Sequence, residues 1–193
     1  MTALILGLAI FLGIHSARIV AEGLRRAFIA QRGANAWKGL YTLASLAGFA
    51  LLIWGYGQAR QQPTVLWATP TALRHVASLL MLLSFVLLAA AYVPGNQIKA
   101  RLHHPMTLAV KVWALAHLVA NNTLADLLLF GGFLAWSVAV FAAARRRDRA
   151  NGVSYAAGSA SRTAIAVAIG VVAWIAFALW LHGPLIGVAP FAR

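Results

Sequence analysis

The sequence has no cysteine, and only three of its 193 residues are acidic. The missing cysteine excludes disulfides, thiolate-held iron–sulfur clusters, cysteine-bearing zinc sites, thiol nucleophiles and covalent c-type haem attachment. Metal or cofactor binding therefore falls to the six histidines. Charge is scarce too: 10% of the residues are charged, against about a quarter in a soluble domain, while 62% are hydrophobic and the mean hydropathy is +0.81. That leaves too little polar surface to cover a water-exposed globule. The expected fold class is an all-α integral membrane helical bundle.

Crossing about 30 Å of hydrocarbon takes roughly 20 apolar residues. Runs with few or no charges fall at 1–17, 39–59, 75–98, 112–125, 127–144 and 163–192, which predicts about six transmembrane helices. Glu22 is expected to pair with Arg18, Arg25 or Arg26; pairing with Arg18, at i,i+4, would let the first helix run on toward Gln31. The segment 106–120 is short for a span. Met1-Thr2-Ala3 carries no basic n-region and no A-x-A-like site follows, so the first run is expected to be a retained helix.

The basic residues are unevenly placed. Arg18, Arg25, Arg26, Arg32, Lys38, Lys99, Arg101, Arg145, Arg146, Arg147, Arg149 and Arg162 fall on one side of such a bundle; Arg60, Arg74 and Arg193 fall on the other. The positive-inside rule makes the rich side cytoplasmic and puts both termini on the opposite, outer side. The net charge of +13 is thus mainly a topology signal, and nucleic acid is not needed as a partner. Val93-Pro94-Gly95-Asn96 reads as a turn, Thr123-Leu124-Ala125-Asp126 as a capping box, and 151–161, rich in Gly and Ser, as a flexible linker. The expected organisation is a five-helix bundle over 1–145, a basic linker over 146–162 and an additional helix over 163–193.

Polar residues inside spans are costly and are the default functional candidates. Lys111 is expected to snorkel to the interface, or else to pair with Glu22 or a ligand carboxylate. His75 and His182 read as interfacial. His103 and His104 precede Pro105 in a basic loop, where they could cap a helix or meet a lipid phosphate or polar head group. His15 and His117 differ, because each lies within an apolar run. Two neutral imidazoles on different helices are the usual ligation for b-type haem, with Gly13, Ala114 and Ala116 leaving room for a macrocycle; helices that only cross-link through the histidines are the plain alternative. Matching their depths requires a long first helix over about residues 5–25, with Arg18 and Glu22 buried as a pair.

Four stretches carry a family resemblance: Leu12-Gly13-Ile14-His15-Ser16-Ala17-Arg18, Trp37-Lys38-Gly39-Leu40-Tyr41-Thr42-Leu43, Arg101-Leu102-His103-His104-Pro105, and Lys111-Val112-Trp113-Ala114-Leu115-Ala116-His117-Leu118-Val119-Ala120-Asn121. Together they resemble the NnrU family of bacterial membrane proteins, over residues 3 to about 145. The plant and cyanobacterial 15-cis-zeta-carotene isomerase belongs to the same family. The resemblance implies haem b with His15 and His117 as axial ligands of the iron. Arg18, His104, Lys111, Trp113 and Ala114, in the same stretches, complete the cofactor-binding set. It departs at Ala114, where the plant isomerase has a cysteine, so a thiolate ligand is not available here. The His-Pro pair also resembles the Arg-His-Pro signature of membrane methyltransferases, but the C-terminal third has only Asp148 as an acid with which to grip their cofactor.

Three functional expectations follow. The first is a haem b protein of redox or nitrogen-oxide, denitrification-related metabolism, with a small gaseous ligand. The second is a haem-dependent cis-trans isomerase of a polyene such as a carotenoid. The third is a non-enzymatic membrane accessory protein.

Overall fold

The computed structural model describes residues 1–191; Ala192, the expected end of the last span, and Arg193 lie outside the described residues. The chain is all-α, with isolated bridges and no strand among the described residues. In chain order the helices are α1 (Thr2–His15), α2 (Ala17–Val20), α3 (Glu22–Arg32), α4 (Ala34–Ala59), α5 (Ala72–Tyr92), α6 (Gln97–Leu102), α7 (Pro105–Ala120), α8 (Leu124–Ala150), α9 (Ala160–Ala176) and α10 (His182–Ile186), with a π-helical turn at Phe177–Leu181 before α10. Five stretches are long and apolar enough to cross a bilayer: Thr2–Val20, Ala34–Ala59, Ala72–Tyr92, Leu124–Ala150 and Ala160–Ile186. α7 is apolar but shorter, 16 residues or about 24 Å. Leucines such as Leu43, Leu46, Leu79 and Leu185 point outward, which water would not tolerate at this density and lipid does. The protein is a multi-pass membrane protein.

Two compact units form. One comprises residues 1–68 and 122–136, the other residues 69–121 and 137–191.

In the first unit α1 lies against α4 at backbone distance. A Cβ on Gly7 would stand 2.6 Å from the Leu52 nitrogen, one on Gly48 2.7 Å from that of Phe11, and one on Gly55 2.3 Å from that of Leu4. In lipid, apolar side chains gain little by leaving the solvent, so such close approach between small residues is what holds helices together. Leu4, Leu52, Ala59 and Ala125 form the buried core beside this seam.

The first helix is not the continuous 5–25 rod that the sequence pattern led us to expect. It breaks at Ser16 and again at Ala21, whose φ −136° and ψ 32° lie outside the helical region. Glu22 then opens a separate amphipathic helix, α3, and pairs with Arg25 at 3.1 Å and Arg26 at 3.6 Å rather than with Arg18, which is exposed on α2. Pairs at i+3 and i+4 within the new helix satisfy the carboxylate without burying an arginine.

The expected capping box is present at the start of α8. Thr123 N–H donates to Asp126 Oδ2 at 3.0 Å, and Asp126 N–H donates to Thr123 Oγ1 at 3.2 Å. A third partner comes from another helix: Tyr56 on α4 donates its hydroxyl to Asp126 Oδ1 at 2.5 Å. Asp126 is buried. Asp126→Ala removes the cap and orphans a half-buried phenol, so thermal unfolding in mild detergent should show a loss of about 3 kcal/mol, more than a lone surface cap contributes. Asp126→Ala melting like the parent would refute this assignment.

In the second unit, buried Ser84 on α5 donates to the Ala109 carbonyl of α7 at 2.8 Å. Gly170 lets α9 approach α5, since a Cβ there would meet Val86 Cα at 2.5 Å. The 93–96 turn forms as expected, with Gly95 at φ 69°, and Asn96 caps α6 by accepting from Lys99 N–H at 2.8 Å. The 151–159 segment is docked rather than free: Ser159 N–H donates to Gly95 O at 2.8 Å, and Gly158 packs directly on the Asn96 backbone.

Candidate functional site

His15 is the last residue of α1, and the i,i+4 spacing stacks its ring on Phe11, with centroids 4.2 Å apart. Its Nδ1 donates to the Phe11 carbonyl at 2.7 Å. A carbonyl only accepts, so Nδ1 carries a proton, and in the neutral ring that leaves the lone pair on Nε2. That tautomer is the one that binds a metal through Nε2, and the carbonyl makes the imidazole a better ligand. Tyr41 of α4 packs 5.1 Å from the ring, and Trp136 of α8 meets it edge-on at 6.2 Å. Phe49 and Phe133 close on Phe11. Nothing lies within 4 Å of where a Cβ on Gly13 would stand, so this stretch of α1 borders open space.

One donor in this aromatic nest is unsatisfied. Trp136 Nε1 is buried without a hydrogen-bond partner, a condition costing about 1–3 kcal/mol. A molecule carrying an acceptor group would relieve it.

His117 repeats the arrangement in the second unit. Its Nδ1 donates to the Trp113 carbonyl at 2.8 Å, fixing the same tautomer, and the Trp113 ring lies 5.2 Å away. Trp113 also lines an apolar cavity of about 180 Å³ with Met81, Phe85, Leu88 and Phe177. Ala114 and Ala116 are fully buried, so unlike Gly13 they border no room for a macrocycle; their small size serves helix packing.

The remaining sequence-derived positions resolve differently. Lys111 neither pairs with Glu22 nor makes an ion pair with any described residue; its Nζ lies 4.6 Å from the centre of the Phe141 ring, a cation–π contact. His104 precedes Pro105 at the start of α7 without a side-chain cap, and its Nε2 donates to Asp148 Oδ2 at 2.7 Å. Tyr155 O–H donates to the same oxygen at 2.9 Å, and its ring stacks flat on His103 at 4.0 Å. Burial and then the neighbouring carboxylate push the Tyr155 phenol above its ordinary value. His103 accepts a hydrogen bond from Arg145 and is the one non-glycine with positive φ among the described residues, at 68°, a strain of about 1–3 kcal/mol. His75 is exposed at the start of α5, while His182 donates from Nδ1 to Val188 O at 2.6 Å.

No group of three or more His, Asp or Glu side chains gathers among the described residues as a multi-ligand metal site would need. Haem asks less of the protein, one or two axial imidazoles in an apolar setting, and His15 meets that requirement. Tyr41 and Trp136 were not legible as site residues, because their proximity to His15 arises from packing across helices. The one available signal was the indole N–H of Trp136 in an apolar run, a donor that requires a partner when buried.

A family model described as NnrU protein matches residues 3–190. The match takes in α9 and α10, so the last span is part of the family's own architecture rather than an addition to it. No curated protein matches, and no solved structure does.

Proposed function

The chain belongs to the NnrU family, and on that premise we propose that it is a haem b protein of the bacterial cytoplasmic membrane. In this reading both termini are periplasmic and the protein serves redox or nitrogen-oxide metabolism of the denitrification type. The observation that carries the reading is the His15 tautomer, lone pair on Nε2, within an aromatic nest that holds an unsatisfied indole donor. His15 is the first axial candidate. His117, with the same tautomer, is the second, and each is assessed by itself.

Bound haem would supply one-electron exchange or a place for a small gaseous ligand. This chain's residues supply the rest. The Phe11 carbonyl holds the His15 ring in orientation and strengthens it as a donor to metal. Phe11, Tyr41 and Trp136 surround it with low-dielectric surface that keeps water away. Trp136 offers its N–H to an acceptor on the bound molecule.

Haem titration of the detergent-purified protein tests this. Saturation near one equivalent, with a shifted Soret band, is the expected result. A Soret band that stays that of free haem in detergent would overturn it and leave the accessory reading.

A second reading, haem-dependent isomerisation of a polyene, is favoured by the apolar cavity beside Trp113. It expects altered isomer ratios in cells that accumulate 15-cis-zeta-carotene and express this protein; unchanged ratios would exclude it.

A further inference from the structure

Away from both apolar histidines, a cavity of about 320 Å³ opens where α6 meets the docked 151–159 segment, lined by Gln97, Arg101 and Tyr155 with small residues between them. α6 joins α5 to α7, and the docked segment joins α8 to α9, so the cavity lies at the ends of membrane-spanning helices, the level at which lipid head groups lie. Its electrostatics are one-sided. Asp148 is the only acid in this unit, and its Oδ2 already accepts from His104 and Tyr155. Against it stand Arg101 on the wall, Arg145, which donates to His103, and Arg162 beside Gly95. Arg101, on the cavity wall, makes no ion pair with any described residue.

The wall is built. Tyr155 is clamped between the Asp148 carboxylate and the flat face of His103, whose left-handed backbone is held at φ 68° two residues after Arg101. Gly158 is seated so closely on Asn96 that a Cβ would fall 2.2 Å from its carbonyl carbon, which fixes the opposite wall. Strained backbone survives only where its surroundings over-determine it, and it concentrates at binding sites.

We propose that this cavity binds a phosphate-bearing anion, with Arg101 as its principal cation and the Gln97 amide as a second donor. A guanidinium suits phosphate because its planar fork can donate two parallel hydrogen bonds. The anion is either the head group of an anionic lipid or a soluble phosphate.

Full-length protein in phosphatidylcholine nanodiscs separates the two. One arm titrates inorganic phosphate against chloride at constant ionic strength, read by calorimetry. The other adds phosphatidylglycerol to the discs and counts retained lipid by native mass spectrometry. Saturable binding in the first arm identifies a soluble phosphate, and one retained lipid in the second identifies a head group. In whichever arm binds, Arg101→Gln should weaken affinity at least about tenfold, through the loss of its charge-assisted hydrogen bonding. Arg101 is exposed, so this variant keeps the fold, and elution and melting confirm that. Arg149→Gln removes a charge that does not line the cavity and should change nothing. No saturable binding in either arm, equal affinity of Arg101→Gln and wild type, or an equal loss in Arg149→Gln would overturn the proposal.

Discussion

Gly55→Leu is expected to yield no folded first unit. A Cβ at position 55 would stand 2.3 Å from the Leu4 nitrogen and 2.7 Å from the Ala3 carbonyl carbon, and both are backbone atoms of a packed helix. No rotamer change relieves such a contact; α1 and α4 must separate. Separation strips the seam of the van der Waals contact that holds helices together in lipid, and Gly7 and Gly48 lose their close approach with it. Overpacking a core costs about 1–3 kcal/mol where side chains can adjust, and here they cannot, so the cost takes up most of a typical stability of about 5–15 kcal/mol. Size-exclusion chromatography in mild detergent should move Gly55→Leu into the aggregate peak. Gly57→Ala is the control, because it lies on the same helix with nothing within 4 Å of the added carbon, and it should elute with wild type. A monodisperse Gly55→Leu protein with an unchanged melting temperature would refute the seam.

The second large effect is at His15. His15→Ala should lower haem content from about one equivalent to less than about a tenth, since an axial imidazole dominates the affinity of a non-covalently held haem. The variant should still fold. The one hydrogen bond of the His15 side chain goes to its own helix, and its other contacts are ring packing in a nest that five aromatic residues, Phe11, Tyr41, Phe49, Phe133 and Trp136, sustain. Added imidazole should restore part of the bound spectrum, which a merely structural role would not allow. His117→Ala, assayed the same way, reports whether the second histidine also ligates iron. Wild-type spectra in His15→Ala would show that His15 is no ligand.

Much of the architecture was legible from the residues because lipid imposes simple rules. Long apolar runs became helices, the Pro94-Gly95 turn ended α5, and Thr123 and Asp126 capped α8 as their spacing implied. Local ambiguity hid the rest. Arg18 and Glu22 sit at the right spacing for a pair on a continuous helix, but Arg25 and Arg26 are equally well placed, and only the break at Ala21 decides between them. No proline marks that break, and the nearest glycine, Gly23, lies two residues on, inside α3. The 151–161 segment has the composition of a free linker, yet its docking rests on contacts with residues about sixty positions earlier, which no local pattern encodes. The site was half visible in the same way. His15 stood out as a lone polar group in an apolar run, whereas Tyr41, Trp136 and the Tyr155–Asp148–His104 chain exist only once helices pack.

The central claim, that His15 belongs to a haem site, is tested most directly by one spectrum. Protein expressed with a haem precursor and purified in detergent should give a reduced-minus-oxidised difference spectrum with the Soret and α bands of histidine-ligated haem b. A featureless difference spectrum from folded, monodisperse protein would contradict it.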